Sequence, residues 1–220
     1  MEPLFNILFA LSGILSIQFA KNLQQRGNLL SGSYGDADKA YTAGLLHDIM
    51  KNSSPEEQLG VITEAGIELL PEERANKKLW HAIAGAAYIK MVMGIDDKEL
   101  YRAVRYHTTG RAKMTLLEKI VYLADYISAE RNYKDVDVMR RLCDESMDEA
   151  VLYALEFGIP DLVRRGSVIH PDSLDLYNEM VIKNRLFANK LCLCLLVFIM
   201  GIATISTNIH NANVHAHIAQ

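Results

Sequence analysis

The sequence predicts an all-α protein, a helical bundle, and three observations carry that reading. Apolar residues recur at three- and four-residue steps through most of the central chain. No stretch alternates polar and apolar residues for long enough to make a strand. Breaker clusters, such as Asn52-Ser53-Ser54-Pro55, Leu70-Pro71 and Thr109-Gly110, fall between the periodic runs.

The first run is Lys39 to Met50, closed by Asn52-Ser53-Ser54-Pro55. Ser54-Pro55-Glu56-Glu57 then reads as a helix start, because proline's fixed φ suits the first position and acids favour the positive end of the helix dipole. After the break at Leu70-Pro71 comes Trp80 to Val92, rich in small residues and ended by Met93-Gly94. Asp96-Asp97-Lys98-Glu99 opens Lys98 to Tyr106, which stops before Thr109-Gly110. Leu116 to Ala129, Val136 to Leu142 and Met147 to Phe157 follow, the last bounded by Gly158-Ile159-Pro160. Ser173 to Leu186 completes the series.

A chain of 220 residues can bury one good core. A net charge of −4 and a pI near 6.0 exclude a general nucleic-acid binder, which would carry a basic face. Cys143 stands alone, and Cys192 and Cys194 sit too close together in an apolar run for an easy disulfide, so cysteine usage points to the cytoplasm. Both ends depart from the middle. Residues 1–33 form an atypical apolar segment without the basic start of a secretory signal, 34–181 form the domain, and 182–220 form an apolar then polar tail. Within the tail, 191–205 is uncharged but shorter than the roughly 20 residues that span a bilayer. Membrane contact through it, a terminal helix packed on the core, and a non-native extension all remain open, as does a homodimer. His210, His215 and His217 lie in the polar end and read as a flexible terminus.

Four polar sites interrupt otherwise apolar stretches, where an unpaired imidazole or carboxylate is costly to bury: His47-Asp48, His81, His107 and Asp125. An adjacent His-Asp pair on a helix points in directions about 100° apart, so both side chains can reach one cation. Imidazole nitrogen beside carboxylate oxygen suits Fe, Mn or Zn better than Ca or Mg. A capping pair would explain His47-Asp48 alone, and a salt bridge to Arg102 or Arg105 would explain Asp125 alone. The four in order favour a shared site. Lys51, Arg105, Arg111 and Arg131 supply positive charge nearby; solvated helix surface is the plainer account, and it suits Arg105 better than Lys51 or Arg111. His170-Pro171-Asp172 reads as a turn at the mouth of the pocket.

The order His-Asp, His, His, Asp resembles the HD-domain metal-dependent phosphohydrolases. The runs Ala43 to Lys51, Leu79 to Ala82, Arg105 to Arg111, Leu116 to Ile127, and His170-Pro171-Asp172 with Tyr177-Asn178 are similar to the bacterial YqeK branch, the symmetrical bis(5′-nucleosyl)-tetraphosphatases. That resemblance implies an HD-type helical bundle and symmetrical cleavage of diadenosine tetraphosphate to two ADP, with dinucleoside polyphosphate as substrate. It implies a divalent transition metal, Fe ahead of Mn, held by His47, Asp48 and Asp125, with Asp48 and Asp125 as the catalytic carboxylates. Lys51, His81, His107, Thr108, Arg111 and Arg131 would meet the phosphate chain, His81 and His107 alternatively holding a second metal. The family's first metal-binding histidine is missing: its window falls near Ile17 to Phe19, where Gln18 is the nearest polar residue. The expected consequence is weakened metal binding and slowed hydrolysis. Two other readings stay open, another HD enzyme (a nucleotidase or (p)ppGpp hydrolase) and a nucleotide-binding protein that lost activity with that histidine.

Overall fold

The computed structural model describes residues 37–128 and 131–186. The expectations placed on Gln18, 1–33, 191–205 and the C-terminal histidines lie outside the described residues. Those residues are helical, with no strand among them: α1 (Ala37–Leu46), α2 (Pro55–Glu64), α3 (Pro71–Ala75), a 3₁₀ turn (Lys77–Leu79), α4 (Trp80–Met91), α5 (Lys98–Arg105), α6 (Leu116–Ile127), α7 (Val136–Glu145), α8 (Met147–Arg164) and α9 (171–186). The chain divides into Met1–Glu179 and Met180–Gln220, and only the end of α9 is described in the second unit. No helix among the described residues is long and apolar enough to cross a membrane.

α4 is the centre. Trp80, Ile83 and Ile89 are buried, and between them Ala82, Ala84, Gly85, Ala86 and Ala87 let neighbouring helices approach closely. α2 and α5 pack against it, and α6 covers α1 and α5. Ala43, Leu46, Ala86, Ile89, Leu100, Ala103, Val104 and Val121 form one apolar cluster; Met50, Ile62, Leu69, Trp80, Ile83 and Ala84 form the next. On its other side α6 carries the α7–α8 pair. There Cys143 is fully buried, with its thiol pushed up to about 12 by burial.

The start signals hold at atomic detail. Ser54 Oγ accepts from the Glu57 amide at 3.2 Å while the Glu57 carboxylate accepts from the Ser54 amide at 2.7 Å, a reciprocal capping box. Asp97 caps α5 by accepting from the Glu99 and Leu100 amides. Two boundaries differ from expectation. α1 ends at Leu46 and not Met50, because the chain tightens into i→i−3 turns: Ile49 N–H bonds Leu46 O, and Lys51 N–H bonds Asp48 O. α8 continues through Gly158-Ile159-Pro160 to Arg164, where a break was expected. A helical proline leaves the carbonyl four residues back without its usual donor. Here that carbonyl belongs to Glu156, which like Pro160 is exposed, so water can satisfy it.

Candidate metal centre

The tight turns after α1 carry His47 and Asp48, the start of α4 carries His81, and the turn after α5 carries His107. Each imidazole is anchored in the same way, with Nδ1 facing the carbonyl three residues earlier: His47 on Gly44 O at 2.6 Å, His81 on Lys78 O at 2.7 Å, His107 on Val104 O at 2.7 Å. A carbonyl only accepts, so each Nδ1 carries the proton and each neutral ring presents a bare Nε2 lone pair.

Those lone pairs converge on Asp48. His47 Nε2 is 3.2 Å from Asp48 Oδ2, and His81 and His107 Nε2 are 3.4 and 3.5 Å from Oδ1. His81 Nε2 also lies 3.2 Å from His107 Nε2, a distance at which two lone pairs repel unless a proton or cation lies between them. Asp48 Oδ1 is buried and has no hydrogen-bond partner. The ligand atoms of His47, Asp48 and His107 all lie within 4.8 Å of one another, with His81 adjoining. An orphaned carboxylate oxygen facing bare imidazole nitrogens is what a divalent transition metal would satisfy.

Charge at the site follows from this geometry. Burial works to raise the Asp48 carboxyl, but the influence of the surrounding His107, His47 and His81 imidazoles outweighs it and holds the carboxyl far below its ordinary value. His47 is pulled down by burial and lifted more by Asp48, for a net rise above 6.5. His107, fully enclosed, is lowered: burial dominates, and charge on His47 and His81 adds to it against Asp48. Were His47 to hold a metal, protons would compete with the ion for its Nε2. Metal retention on dialysis is then expected to fall as the pH is lowered. Retention that does not change with pH would remove His47 from the ligand set.

The remaining expected residues surround this centre unevenly. Lys51 Nζ sits 2.7 Å from Asp48 Oδ2 and is half exposed. Asp125 lies outside the 4.8 Å set, its Oδ1 accepting from Arg131 Nη2 at 2.8 Å while Arg131 Nε donates to the Asp125 carbonyl. It is close enough for its charge to help raise His47, and its own carboxyl is lowered, Arg131 outweighing burial. Arg111 is taken up by Glu118 through two 2.9 Å bonds and by the Ala112 carbonyl. The Thr108 hydroxyl is buried with no hydrogen-bond partner.

Sequence reasoning missed Glu73. Its side chain is 2 % exposed; Oε2 accepts from the Leu70 amide, while Oε1 meets both Arg105 and His170 Nε2. Arg105 is thus part of a buried cluster, 14 % exposed, where solvated surface was expected. His170 does shape a turn: its Nδ1 accepts from the Asp172 amide and its carbonyl from Ser173 as α9 begins. Gly110 closes the turn after His107 with φ of 63°, and an added Cβ would lie 2.4 Å from Leu176 Cδ2. The helix start at Pro71 was a legible signal for an acid at Glu73, but its partners, 32 and 97 residues away, were not.

An all-helical core that aims a His-Asp pair and two further histidines at one point defines an HD-domain protein. The family model for the HD domain matches residues 16–130. The symmetrical bis(5′-nucleosyl)-tetraphosphatase of Bacillus subtilis is 34% identical over 148 residues, 66% of this chain and 78% of that protein. Its counterpart in Halalkalibacterium halodurans is 34% identical over 159 residues, 71% of this chain and 83% of that one. A crystal structure from Clostridium acetobutylicum, described as a predicted HD superfamily hydrolase involved in NAD metabolism, superposes with a TM-score of 0.72 at 32% identity, covering 80% of this chain and 87% of that one. The chain belongs to the HD-domain family, in the branch of the symmetrical bis(5′-nucleosyl)-tetraphosphatases.

Proposed function

We propose that this protein hydrolyses diadenosine tetraphosphate and related dinucleoside polyphosphates symmetrically, releasing two ADP, with a divalent transition metal at the His47–Asp48 centre. The observation that carries the reading is the convergence of three bare Nε2 atoms on the Asp48 carboxylate, two of them, from His81 and His107, on its orphaned Oδ1. It joins a kinship with proteins that bear this activity in their names. The mixed imidazole and carboxylate set favours Fe, with Mn as the alternative.

A divalent ion held there would supply Lewis acidity, making water acidic enough to attack at neutral pH and polarising a phosphoryl oxygen. His47 and Asp48 would hold it, with His107 within reach of the same ion. Asp125 completes that set or takes the proton from the attacking water, and its bond to Arg131 keeps it ionised for either role. Water oxygen bonds to one inner phosphorus as the central phosphoanhydride bond breaks, and the departing ADP oxygen leaves as an anion. Lys51, freed from Asp48 Oδ2 once the carboxylate is neutralised otherwise, neutralises charge on the phosphate chain. His81, at the less enclosed side, donates to a phosphate oxygen when protonated, and Arg131 lies beside Asp125 to meet the same chain. Thr108 and Arg111 flank His107; their proposed contact with the leaving diphosphate asks Arg111 to loosen from Glu118. Cysteine usage supports a cytoplasmic location, with membrane association the alternative if 191–205 is an anchor.

The test is product analysis. Protein loaded with Fe(II) or Mn(II) is given diadenosine tetraphosphate, and nucleotides are separated by chromatography. ADP alone, two per substrate, is expected. ATP with AMP would overturn symmetrical cleavage, release of phosphate from mononucleotides would select the nucleotidase reading, and binding without turnover would select the inactive one.

A further inference from the structure

We infer that Tyr106, whose ring both the Arg105 and the Arg111 guanidinium approach, is a clamp that positions His107 and so sets the affinity of the centre for a divalent cation. The inference rests on the metal reading above.

His107 stands between the two arginines in the chain. The Arg105 guanidinium lies 5.1 Å from the Tyr106 ring centroid, and that of Arg111 lies 5.3 Å from it, each within cation–π range. Each arginine is then held by a different helix. Arg105 bonds Glu73 in the first turn of α3, and Arg111 bonds Glu118 in the first turn of α6. Both glutamates are about 1 % exposed, and each is fixed by an amide of its own helix start, Leu70 N–H at 2.9 Å and Thr115 N–H at 2.6 Å. The turn bearing His107 is thus staked at both ends to buried carboxylates.

One stake also reaches the neighbouring histidine. Trp80 Nε1 donates to the Glu73 carbonyl at 2.7 Å, and Trp80 precedes His81. Glu73 therefore fixes the spacing between the segments that carry His81 and His107, whose Nε2 atoms are 3.2 Å apart. Buried ion pairs are poor sources of net stability, but they set geometry well. A clamp role also explains why the Arg111 donors are spent on Glu118 and the Ala112 carbonyl, leaving its side chain 21 % exposed. On this view Arg111, besides the leaving-group contact proposed for it, is a positioning residue that acts through His107.

Arg111→Lys and Tyr106→Leu in the full chain test this, with Mn(II) affinity read from the electron paramagnetic resonance signal of the free ion. Lysine keeps the charge but cannot make the two-point bond to Glu118. Leucine leaves both arginine–glutamate pairs and removes the ring between them. Each variant is expected to lose about 10- to 100-fold in Mn(II) affinity, the range seen for outer-shell partners. Excess Mn(II) should restore turnover in Tyr106→Leu with KM for the dinucleotide unmoved, and the melting temperature of both variants should hold. Unchanged Mn(II) affinity with a raised KM would overturn the clamp in favour of direct phosphate contact. Unchanged affinity with a lowered melting temperature would reduce the cluster to a structural one. Failure of the unaltered chain to take up Mn(II) would sink the metal reading itself, a result distinct from either.

Discussion

Asp48→Ala is expected to strip the protein of bound divalent metal and of hydrolysis while leaving far-ultraviolet circular dichroism nearly unchanged. Among the described residues, Asp48 is the one carboxylate that all three imidazoles approach, at 3.2 to 3.5 Å. It carries the formal negative charge that a dication needs beside neutral nitrogen donors. Loss of an outer partner alone commonly costs about 10- to 100-fold in affinity, so loss of a direct ligand should cost more. The fold has little stake in it: the residue lies in the turns past α1 and belongs to neither apolar cluster. Metal content by elemental analysis is the deciding measurement. Stoichiometric metal in the variant would place the ligand set elsewhere.

Glu73→Ala is expected to damage stability more than any substitution at the metal centre. It leaves Arg105 and His170 buried without their shared acceptor, and breaking one side of a buried charge cluster costs about 3–5 kcal/mol. Urea unfolding followed by circular dichroism measures it; a loss below about 1 kcal/mol, the scale of an exposed ion pair, would contradict the cluster's role. The effect has a pH signature. Burial works to raise the Glu73 carboxyl, but the Leu70 amide, Arg105 and His170 outweigh it, so its folded value lies below the ordinary 4.5. A depressed carboxyl contributes stability that is fully present above its unfolded value and fades as the pH falls through the folded one. Parent and variant should therefore converge in acid and separate above pH 4.5.

The contrast between Asp48 and Glu73 shows what the chain discloses in linear form. His47-Asp48 was legible because the pair is contiguous and stands in an apolar run, and His81 and His107 stood out for the same reason. Each is oriented by a carbonyl three residues away, so local sequence sets its direction. Helix existence was legible wherever capping and periodicity agreed, as at Ser54 and Asp97. Glu73 was not, because its worth lies in Arg105 and His170, which only the folded chain brings to it. Arg105 looked like solvated surface because a helix-terminal arginine usually is one. The length of α8 was missed for another reason: Pro160 argues for a break, and only its exposure shows that the lost hydrogen bond can be made good by water.

The three carbonyl anchors have a further consequence for how fast and how tightly the centre can load. A free histidine side chain samples several rotamers, and freezing a flexible side chain on binding costs about 0.5–1.5 kcal/mol each. Here His47, His81 and His107 are already held by their own backbones before any ion arrives. That entropy is surrendered during folding, when the surrounding helices supply the driving force. Capture of an ion then asks for almost no search among ring orientations, only for exchange of water and of the lysine counter-ion at Asp48.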